Sequence, residues 1–381
     1  MRAFLADVYP VHQDEFEHCA LLRPAPHPYP DLAASLDSTN TLLRAHRQMI
    51  RLRQMDDIML YAQRQGRISF YMTCRGEEAI HMGAASAIDL NDVVFAQYRE
   101  QGILMWRGFT LDQFMNQCFS NDMDLGKGRQ MPVHYGSRAL NFHTISSPLG
   151  TQIPQAVGAA YRLKLAGQNS IAVCFFGDGC ASTTDFHSGL NFAATLQAPV
   201  VFFCRNNGYA ISTPVTDQYA GDGVVSRAPG YGIAAIRVDG NDIFAVHAAM
   251  REAKRYALHN QAPVLIEAMT YRQGHHSTSD DSTRYRSKTE VEDFAARFDP
   301  LVRLGNFLKR QGVLPSKPEA EATIFDEEKL AVLKAMEKAE KRSKPSLDQL
   351  FEDVYHTLPP HLREQKEQLL AHIAKYPKKY Q

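Results

Sequence analysis

The chain has 381 residues and a mass of 42.8 kDa, which allows one large domain or two and excludes a small stapled scaffold. Its 42 Lys and Arg balance 42 Asp and Glu, so no overall field exists to hold a polyanion, and nucleic acid is not an expected partner. Hydrophobic residues at 44% and charged residues at 22% describe an ordinary globular chain, and no apolar run approaches the roughly 18 residues of a membrane span.

The N-terminal stretch MRAFLADVYPVHQDEFEHCALLRP has no cationic head followed by an apolar segment, and its acidic residues argue against a transit peptide. The expected compartment is a bacterial cytoplasm, with the mitochondrial matrix as the alternative, because a processed mitochondrial form reads the same way. Pro10, Pro24, Pro26, Pro28 and Pro30 punctuate residues 1–40, which predicts an extended arm. Residues 41–290 are expected to form an α/β domain and residues 291–381 a helical C-terminal region.

From Thr41 to Gln65 apolar residues recur at helical spacing among arginines, which predicts a long amphipathic helix. Short β-rich runs follow at Val93–Gln97, Ile171–Phe176, Val200–Cys204, Ala234–Val238 and Val264–Ala268. Helical stretches at Gln152–Ala166, Phe186–Leu196 and Ala245–Asn260 are long enough for crossovers. The alternation predicts a mostly parallel sheet flanked by helices. Beyond about residue 290 the chain becomes charged and helical, as in EEKLAVLKAMEKAEKR. The cysteines Cys19, Cys74, Cys118, Cys174, Cys180 and Cys204 contain no C-x-x-C pair and read as reduced and mostly structural.

The informative stretch is IAVCFFGDGCASTTDFHSGLNFAATLQAPVVFFCRNNGYAIST, one βαβ unit. A right-handed crossover returns its second strand parallel to the first, so Gly177-Asp178-Gly179 and Asn206-Asn207 both emerge at the carboxyl edge, where open α/β sheets bind ligands. Two glycines let the backbone approach an anion, and the following helix offers N–H groups to it. Asp178 and Asn207 present a carboxylate and an amide oxygen to one hard cation such as Mg2+, with phosphate oxygens, a carbonyl and water completing its shell. A dinucleotide fingerprint fails because Ser182 occupies the third glycine position, and no Walker A motif occurs. No zinc-ligand spacing is present either.

GDG followed about thirty residues later by NN resembles the thiamin diphosphate motif. HTISSPLGTQIPQAVGAAY, FFCRNNGYAISTP, GYGIAAIRVDGND and YRQGHHSTSDDSTRYRSK together resemble the E1 α subunit of the branched-chain 2-oxo acid dehydrogenase complex, over the chain from about residue 40 onward. The resemblance implies a thiamin diphosphate-binding fold. It implies Mg2+ held by Asp178, Asn207 and the main-chain carbonyl of Tyr209, with Gly177, Gly179 and Cys180 at the diphosphate turn and Arg205 near the diphosphate. It further implies that Gln97, Tyr98 and Arg99 reach the diphosphate, and that Ser147 and Leu149 meet the aminopyrimidine and central part of the cofactor. A potassium ion would use Ser146, Pro148, Thr151 and Gln152 of the same loop. His276 is the implied catalytic histidine; His134, His143 and His187 stay unassigned. At Thr183 the chain departs from relatives that often carry an acidic residue.

By the same resemblance the reaction is oxidative decarboxylation of a branched-chain 2-oxo acid with acyl transfer to a lipoyl domain of the E2 acyltransferase. No segment of the chain supplies the carboxylic acid that the aminopyrimidine needs, which implies a half-site completed by an E1 β subunit in an α2β2 heterotetramer. Ser277 and Ser287 lie in the loop that kinases modify in mitochondrial relatives. The alternatives are the α subunit of pyruvate or acetoin dehydrogenase, with Phe70, Tyr71 and Tyr98 as aromatic candidates for the substrate pocket. An NAD-dependent dehydrogenase and a non-catalytic scaffold are the readings from other classes.

Overall fold

A computed structural model describes residue 36, residues 38–315 and residues 317–379. The expected N-terminal arm falls almost wholly outside the described residues, as does Cys19. The first helix, α1, spans Thr39–Arg64 and is capped by the Ser38 hydroxyl, which accepts from the Thr41 amide. After it come α2 (Glu78–Ser86), β1 (Val93–Phe95), α3 (Gln101–Trp106), α4 (Leu111–Cys118), α5 (Gln152–Leu165), β2 (Ala172–Gly177), α6 (Thr184–Leu196) and β3 (Val200–Asn206). A two-residue hairpin, β4 (Tyr209–Ala210) and β5 (Thr213–Pro214), precedes β6 (Ala234–Asp239), α7 (Ile243–Asn260) and β7 (Val264–Met269). The chain then continues through α8 (Lys288–Phe298), α9 (Pro300–Arg310), α10 (Pro318–Glu340) and α11 (Pro360–Lys375).

All five expected strand runs form one sheet of order β1-β2-β3-β7-β6, and every neighbouring pair is parallel. Parallel strands need crossovers, and both faces are therefore covered. Val173, Phe175, Val201, Phe203 and Ile266 point to one face, among Val246, Ala249 and Ala253 of α7. Ala172, Cys174, Phe176, Val200, Phe202 and Leu265 point to the other, among Ile153 and Ala156 of α5 and Phe186 and Leu190 of α6. The strict alternation gives each strand two apolar faces, which is why these runs carry almost no polar residue.

Element ends differ from expectation where a side chain intervenes. The first strand stops at Phe95 rather than Gln97 because the Glu100 carboxylate accepts the Gln97 and Arg99 amides, at 3.0 and 2.9 Å. The crossover helix α6 starts at Thr184, two residues early, because the Thr183 hydroxyl caps it by accepting from the Phe186 amide. Asp242 does the same for α7, accepting from Phe244 and Ala245. Among the described residues the five remaining cysteines are free and buried, and burial pushes the thiols of Cys118 and Cys180 up to about 11 and about 12.

The helical region after the sheet rests on α1 and α4. Arg47 and Arg51 both reach the Glu328 carboxylate, which is 1% exposed, and Lys338 pairs with Asp112. A third apolar cluster joins Ala45, Met49 and Ile50 of α1 to Leu301, Leu304 and Leu308 of α9.

Asp56 of α1 is buried where the sheet and helices meet, accepting from the Tyr71 hydroxyl at 3.0 Å and the Cys74 amide at 2.6 Å. Burial pushes its carboxyl up from 3.8 to about 8, against the pull of those two hydrogen bonds. A raised folded value favours folding while the group is protonated, so this contribution is complete below pH 3.8 and is lost as pH rises toward about 8. Asp56→Asn removes the titration, with Oδ1 accepting the Cys74 amide and the Tyr71 hydroxyl turning to accept from Nδ2. Its melting temperature is expected to vary less than that of the wild type between pH 5 and pH 8, as read by calorimetry.

Candidate active site at the carboxyl edge of the sheet

The register pairs Gly177 with Arg205, so the turn after β2 and the turn after β3 leave the sheet side by side. Gln97, just past β1, holds the first glycine: its Oε1 accepts from the Gly177 amide at 2.8 Å. A tight helical turn, Gly179–Ser182, follows Asp178 and leads to the Thr183 cap. The Thr183 hydroxyl also donates to the Cys180 carbonyl at 2.8 Å, so an uncharged residue here keeps the turn and the helix joined. Gly179 is required by a close approach: a Cβ there would lie 2.6 Å from the Ala210 Cβ of the hairpin.

Asp178 is 1% exposed and Asn207 is 4% exposed. The Asp178 carboxylate accepts from Gln218 Nε2 at 2.7 Å and from the Asn207 backbone N–H, and among the described residues it forms no ion pair. Burial pushes its carboxyl above the usual range; Gln218 and the backbone amides oppose this, and Glu77 adds to it. A buried carboxylate with only neutral partners fits a divalent cation. The Asn207 Nδ2 donates to Glu77 Oε1 at 2.7 Å, which turns Oδ1 away from Glu77; that oxygen lies 3.4 Å from the Tyr209 amide. The Tyr209 carbonyl accepts from Arg272 Nη1 at 3.2 Å and retains a second lone pair.

Three guanidiniums converge nearby, and among the described residues none has a directly paired carboxylate. Arg99 donates to the Thr73 and His276 carbonyls, Arg272 to the Tyr209 and Ile211 carbonyls and the Tyr285 hydroxyl, and Arg286 to the Arg272 and Gly274 carbonyls. The Nε atoms of Arg272 and Arg286 are buried without a hydrogen-bond partner. Burial, and then the neighbouring Arg99, push the Arg272 guanidinium below its ordinary value. Glu77 and Asp280 act on this cluster from a distance without pairing with it directly, which leaves its donors suited to a multivalent anion. Arg205 is different: Nη1 lies 2.5 Å from Glu77 and Nε 2.6 Å from Glu100. Burial works against its charge, and the two carboxylates hold it well above its ordinary value. Burial likewise works against the Glu77 carboxylate, but Arg205, Arg99 and Asn207 hold it below the usual range. A guanidinium already matched twice has less to give an anion than Arg99 or Arg272.

His276 sits in this cluster, its Nδ1 3.2 Å from Arg99 Nη2 and its ring edge-on to Tyr98 at 6.0 Å. The Asp280 carboxylate accepts its amide at 2.7 Å. Burial, then Arg99 and Arg272, push the imidazole down to about 3, so it is neutral at physiological pH. Its neighbour His275 has a structural role: its Nδ1 accepts from the Ser282 amide at 3.0 Å. Ser277 is half-buried beside His276, and Ser287 caps α8 by accepting from the Glu290 amide.

On the loop before α5, the Ser147 hydroxyl lies 2.7 Å from His134 Nε2, whose Nδ1 is 3.1 Å from the Pro132 carbonyl. A previously unassigned histidine is thus drawn to a candidate cofactor contact. Leu149 is 41% exposed. Gly150 has φ of 92°, and a Cβ there would meet the Thr183 hydroxyl at 2.6 Å, so the loop lies against the cap of α6. Ser146 and Pro148 lie on this loop, and Thr151 leads into α5 at Gln152, a buried residue whose Nε2 donates to the Phe175 carbonyl at 3.3 Å. His143 stacks on Phe95 and His187 meets the Tyr231 hydroxyl, both packing roles. Tyr71 is withdrawn into the core, and Tyr98 and Phe70 stay half-buried.

Sequence reasoning did not single out Glu77, Gln218, Arg272 or Arg286. Only the charge of the GEEA and YRQGHH segments hinted at Glu77 and Arg272, and no local signal pointed to Gln218 or Arg286.

Charging His276 is opposed in the folded chain, so its protonation costs stability as pH falls below 6.5. Nitrogen NMR of the ligand-free chain is expected to show a neutral His276 imidazole down to pH 5. Arg99→Met is expected to move its midpoint upward, though only part of the way, because burial is the larger cause.

Residues 46–348 match the family described as the dehydrogenase E1 component. The human protein named 2-oxoisovalerate dehydrogenase subunit alpha, mitochondrial, is 54% identical over 339 residues, covering 89% of this chain and 76% of the human one. Its Dictyostelium discoideum counterpart is 51% identical over 344 residues, covering 90% of this chain and 78% of that one. In Arabidopsis thaliana a protein named as subunit alpha 2 of the same enzyme is 50% identical over 343 residues, covering 90% of this chain and 72% of that one. With a family match over residues 46–348 and relatives at least 50% identical over most of its length, the chain belongs to the dehydrogenase E1 component family.

Proposed function

We propose that the chain is the α subunit of a branched-chain 2-oxo acid dehydrogenase, binding thiamin diphosphate through Mg2+ at the carboxyl edge of the sheet. The observation that carries this reading is a buried Asp178 and Asn207 beside a guanidinium cluster that, among the described residues, has no directly paired carboxylate. Asp178, Asn207 and the Tyr209 carbonyl hold the Mg2+, and the Gly177–Cys180 turn, Arg99 and Arg272 face the diphosphate, with Arg205 fixed behind them. Gln97 and Tyr98 shape the floor, and Ser147 and Leu149 meet the rest of the cofactor. Ser146, Pro148, Thr151 and Gln152 are the proposed potassium loop.

When bound, thiamin diphosphate supplies a nucleophilic carbon and an electron sink for the loss of CO2. This chain binds and orients the diphosphate end, and neutral His276 can donate a hydrogen bond or pass a proton at the reacting carbonyl or the lipoyl sulfur. A β chain supplies the carboxylic acid that the aminopyrimidine needs, in an α2β2 heterotetramer, and a lipoyl domain of E2 accepts the acyl group. The names of the relatives support branched-chain substrates over pyruvate or acetoin, and support the mitochondrial matrix. A phosphate on Ser277 would add a charge of about −1.5 to −2 beside the guanidinium cluster and compete with the cofactor for it.

The purified chain alone is expected to show no decarboxylation of 2-oxoisovalerate, and co-expression with its β chain is expected to restore it. Detectable turnover by the lone chain would refute the half-site. In the assembled enzyme, His276→Ala is expected to lower acylation of a lipoyl domain by about 100-fold or more. Wild-type acylation by that variant would remove His276 from the mechanism.

A further inference from the structure

An asparagine that serves as a metal ligand has a problem of orientation, because its oxygen and nitrogen ends have the same shape and only the oxygen binds a cation. The Tyr209 N–H favours the oxygen end weakly, at 3.4 Å, and the stronger distinction comes from the far side. In this chain Glu77 stands there, one residue ahead of α2 and 1% exposed, with Oε1 2.7 Å from Asn207 Nδ2. Its other oxygen is fixed 2.5 Å from Arg205 Nη1, and Arg205 is itself held by Glu100 at 2.6 Å. Glu77 cannot turn away from Asn207 without breaking a buried ion pair. An ionised carboxylate only accepts hydrogen bonds, so the reversed amide would set carbonyl oxygen against carboxylate oxygen at the same spacing. Asp178 has no equivalent constraint: its partner Gln218 is an amide, and a carboxylate has two equivalent oxygens.

We infer that Glu77 is a positioning residue that fixes the Asn207 amide so that Oδ1 faces the cation, which makes the Glu77–Asn207 pair, and not Asn207 alone, the unit that selects Mg2+. This rests on the metal site proposed above and adds the residue that orients it. The polarity of one hydrogen bond is the working element, so it can be reversed. With Gln at 77 and Asp at 207, the Gln amide donates and the Asp carboxylate accepts, leaving the other Asp oxygen for the metal.

The test is calorimetric titration of the assembled α and β chains with MgCl2 in the presence of thiamin diphosphate, alongside metal-free melting temperatures. Glu77→Gln is expected to weaken Mg2+ binding by about 10- to 100-fold, as losses of residues that orient metal ligands commonly do. Asn207→Asp places two carboxylates face to face. It is expected to weaken binding although a carboxylate is ordinarily the better ligand for a hard cation. The double variant Glu77→Gln/Asn207→Asp is expected to bind at least tenfold more tightly than Asn207→Asp. A merely structural role for Glu77 predicts additive losses that follow the melting temperature.

A double variant no better than Asn207→Asp would overturn the proposal. So would tighter Mg2+ binding by Asn207→Asp alone, an outcome that needs no folded Glu77 variant. Wild-type enzyme that binds thiamin diphosphate without taking up Mg2+ would overturn the metal site itself, and with it this inference.

Discussion

The parallel register of β2 against β3 is the constraint from which the site follows. Gly177 lies opposite Arg205, so two polar turns that are far apart in sequence begin at the same height on adjacent strands. Everything beneath is apolar on both faces, which fixes the register, because a slip of one residue would turn every buried Phe and Val of β2 and β3 to the wrong face. The core thus sets the relative position of Asp178 and Asn207 before either makes a contact of its own.

Charge is distributed over this edge in two ways. Glu77, Arg205 and Glu100 form a closed buried group, each paired, and removing one partner of such a group typically costs about 3 to 5 kcal/mol. Arg99, Arg272 and Arg286 are held by carbonyl and hydroxyl oxygens, so their geometry is fixed while their charge is not cancelled. The first group is closed on itself, and the second lies beside His276. Burial first, and then the charge of Arg99 and Arg272, keep that imidazole neutral.

The sheet was legible because its signal is local: five short runs of Val, Ile, Phe and Ala between helical stretches, each buried on two sides. The GDG and NN turns were legible for the same reason. Strand and helix ends were less so, since Glu100 ends β1 early and Thr183 starts α6 early, and both act through side-chain hydrogen bonds that no periodicity records. Glu77 and Arg272 escaped because their roles are set by contacts across more than fifty residues of chain. Arg205 was expected near the diphosphate through the family resemblance, but its two buried carboxylate partners could not be seen from the sequence.

The contact between Gly179 and Ala210 ties two segments into one unit of inheritance. A side chain larger than hydrogen at 179, or larger than methyl at 210, would push the β4–β5 hairpin off the turn, and with it Tyr209, whose carbonyl and neighbouring Asn207 face the same space. The hairpin can therefore vary at its exposed tip, as at Ile211, but not at its base. Homologous chains should change these two positions together or not at all. A recombined chain that takes the turn from one parent and the hairpin from another should lose cofactor retention before it loses its fold.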